Sequence, residues 1–350
     1  MKRLLLLTAI LFYLVGCVSQ PSVQPSVRAF DKELEDDHRV FNVASEILRS
    51  AVPMCPDNVI KYMNILFTDK DTYSGEEQLF FNTRYAIEDH PVITWVSPTG
   101  GGAKVGLQVG DKILAVNNND YGNSQKEGDL SNKINRRAVD GNADTVKLKV
   151  ERSGIEREVS VPLDQQCGFF FSSYSSDKIS TSTFPIITGI SSGLMRVAAT
   201  DQDLALVIAH ELGHRIEDHF KRHADSQKTN EAVGSVLDSV SNIALGVFSR
   251  SPGVFELLAR KTGDAYSQSF EIEADYLSLY FMKAANLPVE NAADFWRKMA
   301  EEHPEADYVS RHPLTSERIL AIEKTIDEIK LKEQNREKLM PDLARFQKGL

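Results

Sequence analysis

The sequence predicts an α+β protein in which a β-rich domain precedes a mainly helical domain with a small edge-strand sheet. Short apolar segments separated by glycine, such as Val92–Val96 and the alternating Val146–Val150, are typical of strands. Further along, Thr200 is a suitable helix N-cap before the unbroken apolar segment Leu204–Ala209, which predicts a buried helix. With 350 residues the chain is long enough for two or three domains, each with a core of its own.

The overall charge and the cysteine content narrow the class of protein. The formal net charge is -10, whereas a surface that binds phosphates needs the opposite sign, so we expect no nucleic-acid partner. Hydrophobic residues make up 42% of the chain and charged residues 26%, which is typical of a folded protein rather than a disordered one. Three cysteines are too few for a disulfide scaffold.

The amino terminus has the pattern of a targeting segment. Residues 1–16 combine a basic start with an apolar stretch too short to span a bilayer, and they end in glycine before Cys17. This stretch resembles a bacterial lipoprotein signal peptide, in which Cys17 is acylated and becomes the first residue of the mature chain. Residues 17–30 follow as a Pro/Ser-rich tether. Because Val18 stands where proteins retained at the inner membrane usually have aspartate, we expect a lipid-anchored protein of the bacterial envelope, at the outer membrane and facing the periplasm. An ordinary signal peptide or a short anchor is the alternative.

Two further cysteines, Cys55 and Cys167, form an even pair in such an oxidising compartment. A disulfide between them and two buried free thiols are both compatible with the sequence.

The β-rich part carries a second resemblance. Residues 31–84 have apolar positions at helical spacing and predict an N-terminal helical region. In the following segment, the string from Ala103 to Asn117 resembles the PDZ domains appended to bacterial proteases. The resemblance covers residues 85–165 and implies a domain that binds extended peptides, such as chain ends, beside a sheet edge. A β-rich spacer that binds nothing is the alternative.

The predicted buried helix carries the pattern His-Glu-x-x-His at His210, Glu211 and His214. Histidines four residues apart project from one helix face, so their imidazoles can converge on one tetrahedral metal ion. This pattern on a helix is typical of the zinc site of metalloproteases, with the glutamate as general base. His219 and His223 follow, but their spacing from His214 predicts a solvated helix end rather than metal ligands.

A zinc site of this kind needs a third protein ligand and an open position for water. The stretch Phe270–Asp275 offers Glu271 and Asp275 one helical turn apart. Glu271 can therefore ligate while Asp275 hydrogen-bonds the distal nitrogen of a ligand histidine. Glu273 is expected to point elsewhere.

A third motif, His312-Pro313 with Arg318-Ile319 following, completes an ordered set. His-Glu-x-x-His, then Glu-x-x-Ala-Asp, then His-Pro resembles the HtpX and CAAX-prenyl-protease type of gluzincin metallopeptidases, and most closely their soluble periplasmic BepA/LoiP-like members. The resemblance covers residues 180–325. It implies a zincin-type fold with Glu271 as the third ligand of one zinc ion per chain. It also implies that His312 reaches the metal, either to cap it at rest or to stabilise the transition state.

The chain departs from the family at two positions. Ser267-Gln268 stands where family members usually have Ser-Arg, which leaves a supporting salt bridge in question. Ser278 replaces a common glycine.

The predicted domains are the signal peptide 1–16, the tether 17–30, the helical region 31–84, the PDZ-like domain 85–165, the peptidase domain 170–330 and a charged helical tail 331–350. Within the peptidase domain, Phe184–Thr188 is expected to form an edge strand that pairs with substrate. The apolar stretch Ala232–Phe248 is too short and interrupted to span a membrane and is expected to form a lid.

These features predict a zinc metalloendopeptidase that hydrolyses unfolded or misassembled envelope proteins. Glu211 would take a proton from water, and zinc with His312 would stabilise the oxyanion. Two alternatives remain open: a zinc-binding chaperone or assembly lipoprotein with a gated peptidase site, and a PDZ adaptor with a degenerate peptidase domain.

We expect Cys17→Ser to release the protein from the membrane fraction, because an acylated Cys17 is the anchor that the sequence predicts. Fractionation of cells that express either form measures this. Continued membrane association of the variant would contradict a lipid anchor.

Overall fold

The computed structural model describes residues 25–55, 57–70, 72–117, 119–120, 143–183, 186–219, 221–222 and 266–348. Its helices are α1 (Pro25–Ser50), α2 (Gly75–Arg84), α3 (Gly101–Lys104), α4 (Ser192–Val197), α5 (Asp201–Ile216), α6 (Gln268–Ala284), α7 (Ala292–Glu302), α8 (Asp307–Arg311), α9 (Ser316–Gln334) and α10 (Leu343–Lys348). Its strands are β1 (Val59–Tyr62), β2 (Ile65–Thr68), β3 (Val92–Val96), β4 (Lys112–Val116), β5 (Asn119–Asp120), β6 (Thr145–Arg152), β7 (Ile155–Pro162), β8 (Asp164–Cys167), β9 (Phe170–Tyr174), β10 (Thr181–Thr183) and β11 (Ile187–Ser191).

Several predicted features lie outside the described residues: the signal peptide with Cys17, the start of the tether, His223 and the stretch Ala232–Phe248. Helix α1 begins at Pro25, so the end of the predicted tether is helical. Phe30 on this helix packs against Phe80. This contact holds the start of α1 against the rest of the protein, which explains why residues 25–30 are helical although their composition predicted a tether.

The β-rich domain is built on an antiparallel sheet with strand order β2-β3-β4-β6-β7, with β5 paired to β4. Strands β6 and β7 form a long hairpin, and its turn residues Ser153 and Gly154 both have positive φ, as tight hairpins require. Alternate residues of the strands face inward and form an apolar core that includes Ile93, Ile113 and Leu148.

The sheet begins earlier than the sequence indicated. We predicted helix throughout residues 31–84, but this region contains strands β1 and β2 between α1 and α2. Strand β2 pairs with β3 and is therefore part of the sheet that we expected to begin near residue 85. Strand β1 pairs with β8 in a separate two-stranded ribbon. These short strands have no clear alternation of apolar and polar residues, and their pairing partners are distant in sequence.

Helix α1 connects the two parts of the molecule. Its buried residues Val40, Ala44 and Ile47 join the core of the helical domain, while its Asn42 accepts a hydrogen bond from Trp95 of β3 at 3.0 Å. Directly after α1, Cys55 forms a disulfide with Cys167 at the end of β8. Of the two alternatives that the sequence allowed, the structure therefore has the disulfide.

The small sheet of the helical domain has strand order β10-β11-β9. The structure corrects the prediction of an edge strand at Phe184–Thr188. The strand β11 begins at Ile187 and is the central strand of this sheet, parallel to β9 and antiparallel to β10. Phe184 and Pro185 lie outside the described residues. Since β11 is paired on both sides, the edge strands are β10 and β9.

The helical domain is organised around the contact between α5 and α6. A Cβ atom added to Gly213 would lie 2.9 Å from both the Cα and the carbonyl oxygen of Ala274, so only glycine permits this close approach. Helix α9 packs against α6 on its other side. Within the described part of the chain, no helix is long and apolar enough to cross a membrane.

We expect replacement of both cysteines, Cys55→Ser with Cys167→Ser, to lower the free energy of unfolding by about 2–4 kcal/mol. The disulfide joins residues 112 positions apart and so restricts a long loop in the unfolded chain. Denaturant unfolding of the oxidised wild type and the double variant measures the difference. Equal midpoints and slopes would show that the bond does not stabilise the fold.

Candidate metal centre

Helix α5 supplies the first half of the site. It begins with a capping box, in which Thr200 accepts from the amide of Asp203 at 3.1 Å and the Asp203 side chain accepts from the amide of Thr200. From Leu204 to His214 every residue of the helix is buried. The polar side chains of His210, Glu211 and His214 therefore lie in the protein interior, where each needs a partner.

Helix α6 supplies the second half. Its N-cap Ser267 accepts from the amide of Phe270, and Glu271 follows in the first turn. Because Gly213 allows α6 to lie against α5, Glu271 and Asp275 reach the histidines of α5. Both carboxylates are buried.

Four side chains converge at this point. His210, His214, Glu271 and His312 each offer one ligand atom, and these atoms all lie within 4.8 Å of one another. The Nε2 atoms of His210 and His214 are 3.0 Å apart. His312 Nδ1 lies 3.3 Å from His210 Nε2 and 3.1 Å from Glu271 Oε1. Glu271 Oε1 also lies 3.3 Å from His214 Nε2.

The size of this group fits a tetrahedral ion. With zinc–ligand bonds of about 2.0–2.1 Å, the ligands of a tetrahedral site lie about 3.3–3.4 Å apart. Charge also fits: Glu271 and Asp275 share the one guanidinium of Arg318, and Glu211 is a third buried carboxylate nearby, so a cation would offset negative charge that remains at the site. The four residues could therefore hold a metal ion.

Asp275 orients His210. Its Oδ1 lies 2.9 Å from His210 Nδ1, so a proton on Nδ1 leaves Nε2 free to bind a metal. Arg318 in turn holds Asp275, with Nε 2.8 Å from Oδ2 and a second donor 3.0 Å from Oδ1. The same guanidinium lies 2.8 Å from Glu271 Oε2 and donates to the carbonyl of His312 at 2.9 Å.

His214 is oriented through a second chain of contacts, which corrects one expectation. We predicted that His219 lies at a solvated helix end, but it is buried. Glu273 is also buried, and it is not one of the four converging side chains. His219 Nδ1 is 3.0 Å from His214 Nδ1, and His219 Nε2 is 2.9 Å from Glu273 Oε2. The helix ends at Ile216, and the left-handed backbone of Asp218, with a φ of 50°, folds His219 back toward His214.

Phe270 and Arg222 complete this arrangement. The His219 ring stacks on Phe270 with 4.3 Å between centroids. The guanidinium of Arg222 lies 4.4 Å from the centroid of the same Phe270 ring and donates to Glu273 at 3.1 Å. With Glu273 accepting from His219 Nε2, His219 Nδ1 can accept from His214 Nδ1, which leaves His214 Nε2 free for a metal.

Glu211 lies between the metal-binding group and strand β10. Its two oxygens accept from the hydroxyls of Thr181 at 3.2 Å and Thr183 at 3.4 Å. His312 Nε2 lies 3.5 Å from Glu211 Oε1, so the carboxylate is also adjacent to the fourth member of the group. Glu211 is therefore positioned beside the site without being one of its four ligand atoms.

The electrostatics of the ligands follow from burial and from their neighbours. Burial by itself raises the pKa of Glu271, but His312, Arg318 and His214 hold it well below its usual range. Burial lowers the pKa of His214 well below its usual value, so this ring is neutral. For His210, burial opposes protonation, yet the hydrogen bonds that its ring donates to Asp275 and Glu271 raise its pKa to about 9. A cation that enters the site would replace the extra proton on His210.

Sequence reasoning identified the histidines and carboxylates but missed their supporting residues. Arg318 was noted only as part of a motif, and neither Thr181, Thr183 nor Tyr308 was singled out. Tyr308 stacks on His312 with 4.5 Å between ring centroids. The position of the arginine after His-Pro was a usable sign of its role, since an arginine there can pair with the carboxylates of Glu271 and Asp275. Gln268, at the family's usual arginine position, instead donates to Thr315 at 3.2 Å.

Residues 185–326 match the model of Peptidase family M48. The match covers less than half of the chain and supports a metalloprotease. The four converging side chains and Glu211 all lie within the matched M48 segment.

Two curated relatives align with the chain. Mitochondrial metalloendopeptidase OMA1 of Saccharomyces cerevisiae is 26% identical over 144 residues, which cover 37% of this chain and 38% of that protein. A putative beta-barrel assembly-enhancing protease of Vibrio cholerae is 25% identical over 137 residues, covering 37% of this chain and 28% of that protein. The chain thus spans well under two thirds of either relative.

Solved structures with a similar part include a PDZ domain and an HtrA-type protease. The HtrA3 PDZ domain bound to a phage-derived ligand is 16% identical, with a TM-score of 0.23, and the match covers 31% of this chain and 88% of that chain. The HtrA-type protease AlgW with a decapeptide is 13% identical, with a TM-score of 0.22, and the match covers 31% and 30% of the two chains.

We expect Glu271→Ala to abolish stoichiometric metal binding, because it removes the anionic ligand of the group and leaves the positive charge of Arg318 uncompensated beside the site. Glu273→Ala should weaken metal affinity by about 10–100-fold, because it releases His219 and with it the orientation of His214. Metal analysis and competition with a chelator measure both variants, and Glu301→Ala on the exposed face of α7 serves as the control. Equal affinity of the Glu273→Ala variant and the control would mean that the His219 contact does not support the site.

Proposed function

We propose that the protein is a zinc-dependent metalloendopeptidase that hydrolyses peptide bonds in unfolded or misassembled proteins of the bacterial envelope. The observation that carries this proposal is the convergence of His210, His214 and Glu271 beside the carboxylate of Glu211, within the segment that matches Peptidase family M48. The donor set of two imidazoles and one carboxylate is the one that catalytic zinc uses.

His210, His214 and Glu271 would hold the zinc ion. When bound, zinc supplies Lewis acidity, which lowers the pKa of water and polarises a carbonyl group. The protein's own contribution is to fix the three ligands through Asp275, His219 and Arg318, so that little reorganisation is needed when substrate enters.

Glu211 acts as the general base in this proposal. Its carboxylate accepts a proton from the attacking water and returns it to the leaving amine. Thr181 and Thr183 hold the carboxylate from the side of strand β10, which keeps both oxygens oriented toward the site. Buried hydroxyl donors of this kind position a catalytic carboxylate without neutralising it.

An extended substrate would pair with strand β10 rather than with the strand that we predicted from the sequence. Among the described strands, β10 pairs only with β11, and its Thr181 and Thr183 contact Glu211. A polypeptide added along this edge would pass directly beside the general base.

His312 is the basis of a second candidate function. Its Nδ1 lies within the ligand group, and four protein ligands are typical of a closed zinc site, whereas catalytic sites keep one position for water. In the resting protein His312 would therefore cap the metal, and a protein that stays capped would act as a zinc-binding chaperone or assembly lipoprotein. Movement of His312 out of the group would open the site for hydrolysis.

We further propose that the protein works in the periplasm, attached to the outer membrane through acylated Cys17, and that it acts in protein quality control. The name of the Vibrio cholerae relative, a putative beta-barrel assembly-enhancing protease, supports an envelope role. The PDZ-like domain would bind polypeptide beside the peptidase domain and raise its local concentration at the site.

We expect Glu211→Gln to retain one zinc per chain and to lose hydrolysis by at least 100-fold, because it removes the base and leaves the three ligands in place. Digestion of unfolded casein at matched zinc content, with and without a chelator, measures this. Casein digestion by the variant at the wild-type rate would overturn the proposed mechanism.

We expect His312→Ala to keep zinc and to raise the rate of hydrolysis of a short peptide several-fold, because it vacates the fourth position. Initial rates of both proteins at equal zinc content measure the effect. A large decrease would instead show that His312 stabilises the transition state.

A further inference from the structure

Arg215 is a positively charged side chain beside the metal centre that has no acidic partner among the described residues. It is half-buried in the last turn of α5, directly after His214. Its Nε atom is shielded from solvent and has no hydrogen-bond partner. An arginine stays protonated in proteins, and burial of an unpaired charge costs free energy. The protein therefore keeps an uncompensated cation close to the site.

An aromatic ring, rather than a carboxylate, holds the Arg215 guanidinium in place. The central carbon of the guanidinium lies 5.1 Å from the ring centroid of Phe169. Phe169 is buried and directly precedes β9, so the ring has a fixed position. Contact with an aromatic face leaves the N–H donors at the edge of the guanidinium available for hydrogen bonds. The side chain is thus pre-organised for an acceptor that arrives from outside.

The acidic side chains nearest in effect do not occupy this guanidinium. Among the described carboxylates, those of Asp218 and Glu211 interact with Arg215 electrostatically, but neither forms an ion pair with it. Asp218 is exposed to solvent, and Glu211 accepts from the two threonine hydroxyls of β10. The accessible donors of Arg215 are therefore open to a carboxylate supplied by a ligand.

Arg215 follows the proposed general base by one helical turn. Residues four apart lie on the same face of a helix, and four residues rise about 6 Å along its axis. Glu211 faces β10, where its carboxylate contacts Thr181 and Thr183. An extended polypeptide advances about 3.3 Å per residue. A chain that passes Glu211 along β10 therefore comes beside Arg215 about two residues from the bond that is cut.

The small sheet also places Arg215 at one end of β10. Thr183, the last residue of β10, pairs with the start of β11. Phe170, the first residue of β9, pairs with the start of β11 as well, so β9 begins at the end of the sheet where β10 stops. Phe169, which contacts Arg215, comes directly before this point. Arg215 therefore lies where a chain that runs along β10 passes the end of the strand.

We propose that Arg215 binds a carboxylate of the polypeptide substrate and so selects sequences with an acidic side chain about two residues from the cleaved bond. A guanidinium offers paired N–H donors that match the two oxygens of a carboxylate. This inference rests on the proposed function, because the bound chain is a peptidase substrate. In this role Arg215 determines specificity and takes no part in the chemistry.

Binding can be measured without hydrolysis, in zinc-free Glu211→Gln protein. The probe is an acetylated and amidated decapeptide of alternating valine and serine with one central aspartate. Its asparagine and lysine counterparts differ only in that side chain, and a fourth peptide combines the central asparagine with a free terminal carboxylate. The repeating sequence lets the chain shift in register until its central side chain meets Arg215. Calorimetry gives the four affinities.

We expect the aspartate peptide to bind about ten-fold more tightly than the asparagine peptide, because only the carboxylate forms a charge-assisted pair with Arg215. Raising the salt concentration from about 0.05 M to about 0.5 M should reduce this ratio to below about three-fold. In Arg215→Gln the ratio should fall to about one, and in Arg215→Glu the lysine peptide should bind more tightly than the aspartate peptide. Arg196→Gln, which replaces an exposed arginine of α4, is the matched control and should keep the parent ratio.

The melting temperature of each variant shows whether the fold is retained. Arg215→Gln should melt at or above the wild-type temperature, because it removes an unpaired charge. Arg215→Lys keeps the charge without the paired donors and should give an intermediate ratio. In the zinc-loaded wild type, mass spectrometry of an unfolded protein digest should show acidic residues enriched about two positions from the cuts, and Arg215→Gln should lose this enrichment.

Equal affinity for the aspartate and asparagine peptides, or an unchanged ratio in Arg215→Gln, would overturn carboxylate recognition and leave Arg215 as a packing partner of Phe169. A preference for the free terminal carboxylate alone would overturn selection of an acidic side chain in favour of chain ends. If the aspartate preference is found while the wild-type zinc protein fails to digest casein, the proposed peptidase function fails and the carboxylate site stands. Casein digestion without the preference would mean the opposite.

Discussion

The buried guanidinium of Arg318 is the interaction on which the arrangement of the metal centre depends. It contacts Asp275 with two donors, Glu271 with one, and the carbonyl of His312. Through these contacts one side chain of α9 connects both carboxylates of α6 with the segment that positions His312. Buried carboxylates are costly unless they are paired, and removal of one partner from such a group typically costs about 3–5 kcal/mol. Arg318 thereby offsets part of the negative charge of Glu271 and Asp275, which lie close together in the protein interior.

The contact between α5 and α6 sets the geometry within which Arg318 acts. Because Gly213 has no side chain, Ala274 of α6 approaches α5 closely. This close approach brings Glu271 and Asp275 of α6 within reach of His210 and His214 of α5. The orientation of each histidine then has its own cause. His210 is held by Asp275, and His214 is held by His219, which depends on Glu273. Two independent supports fix two ligand atoms 3.0 Å apart.

Helix α1 and the disulfide make the β-rich and helical parts interdependent. The helix contributes to the core of the helical domain and also contacts Trp95, while Cys55 and Cys167 join the segment after α1 to the end of β8. Among the described strands of the small sheet, β10 lies at an edge and beside Glu211.

The sequence by itself indicated the side chains that converge, because helical spacing relates His210 to His214 and Glu271 to Asp275 without knowledge of the fold, and the family resemblance added His312. It also determined most of the β-rich sheet, where glycine turns and alternating residues define β3 to β7. The tertiary structure alone decided features that depend on distant contacts. The pairing of β1 and β2, the central position of β11 and the burial of His219 depend on neighbours far along the chain. The role of Arg318 was likewise decided by tertiary structure, since a buried arginine and an exposed one have the same local sequence pattern, and only packing against α6 removes its guanidinium from water.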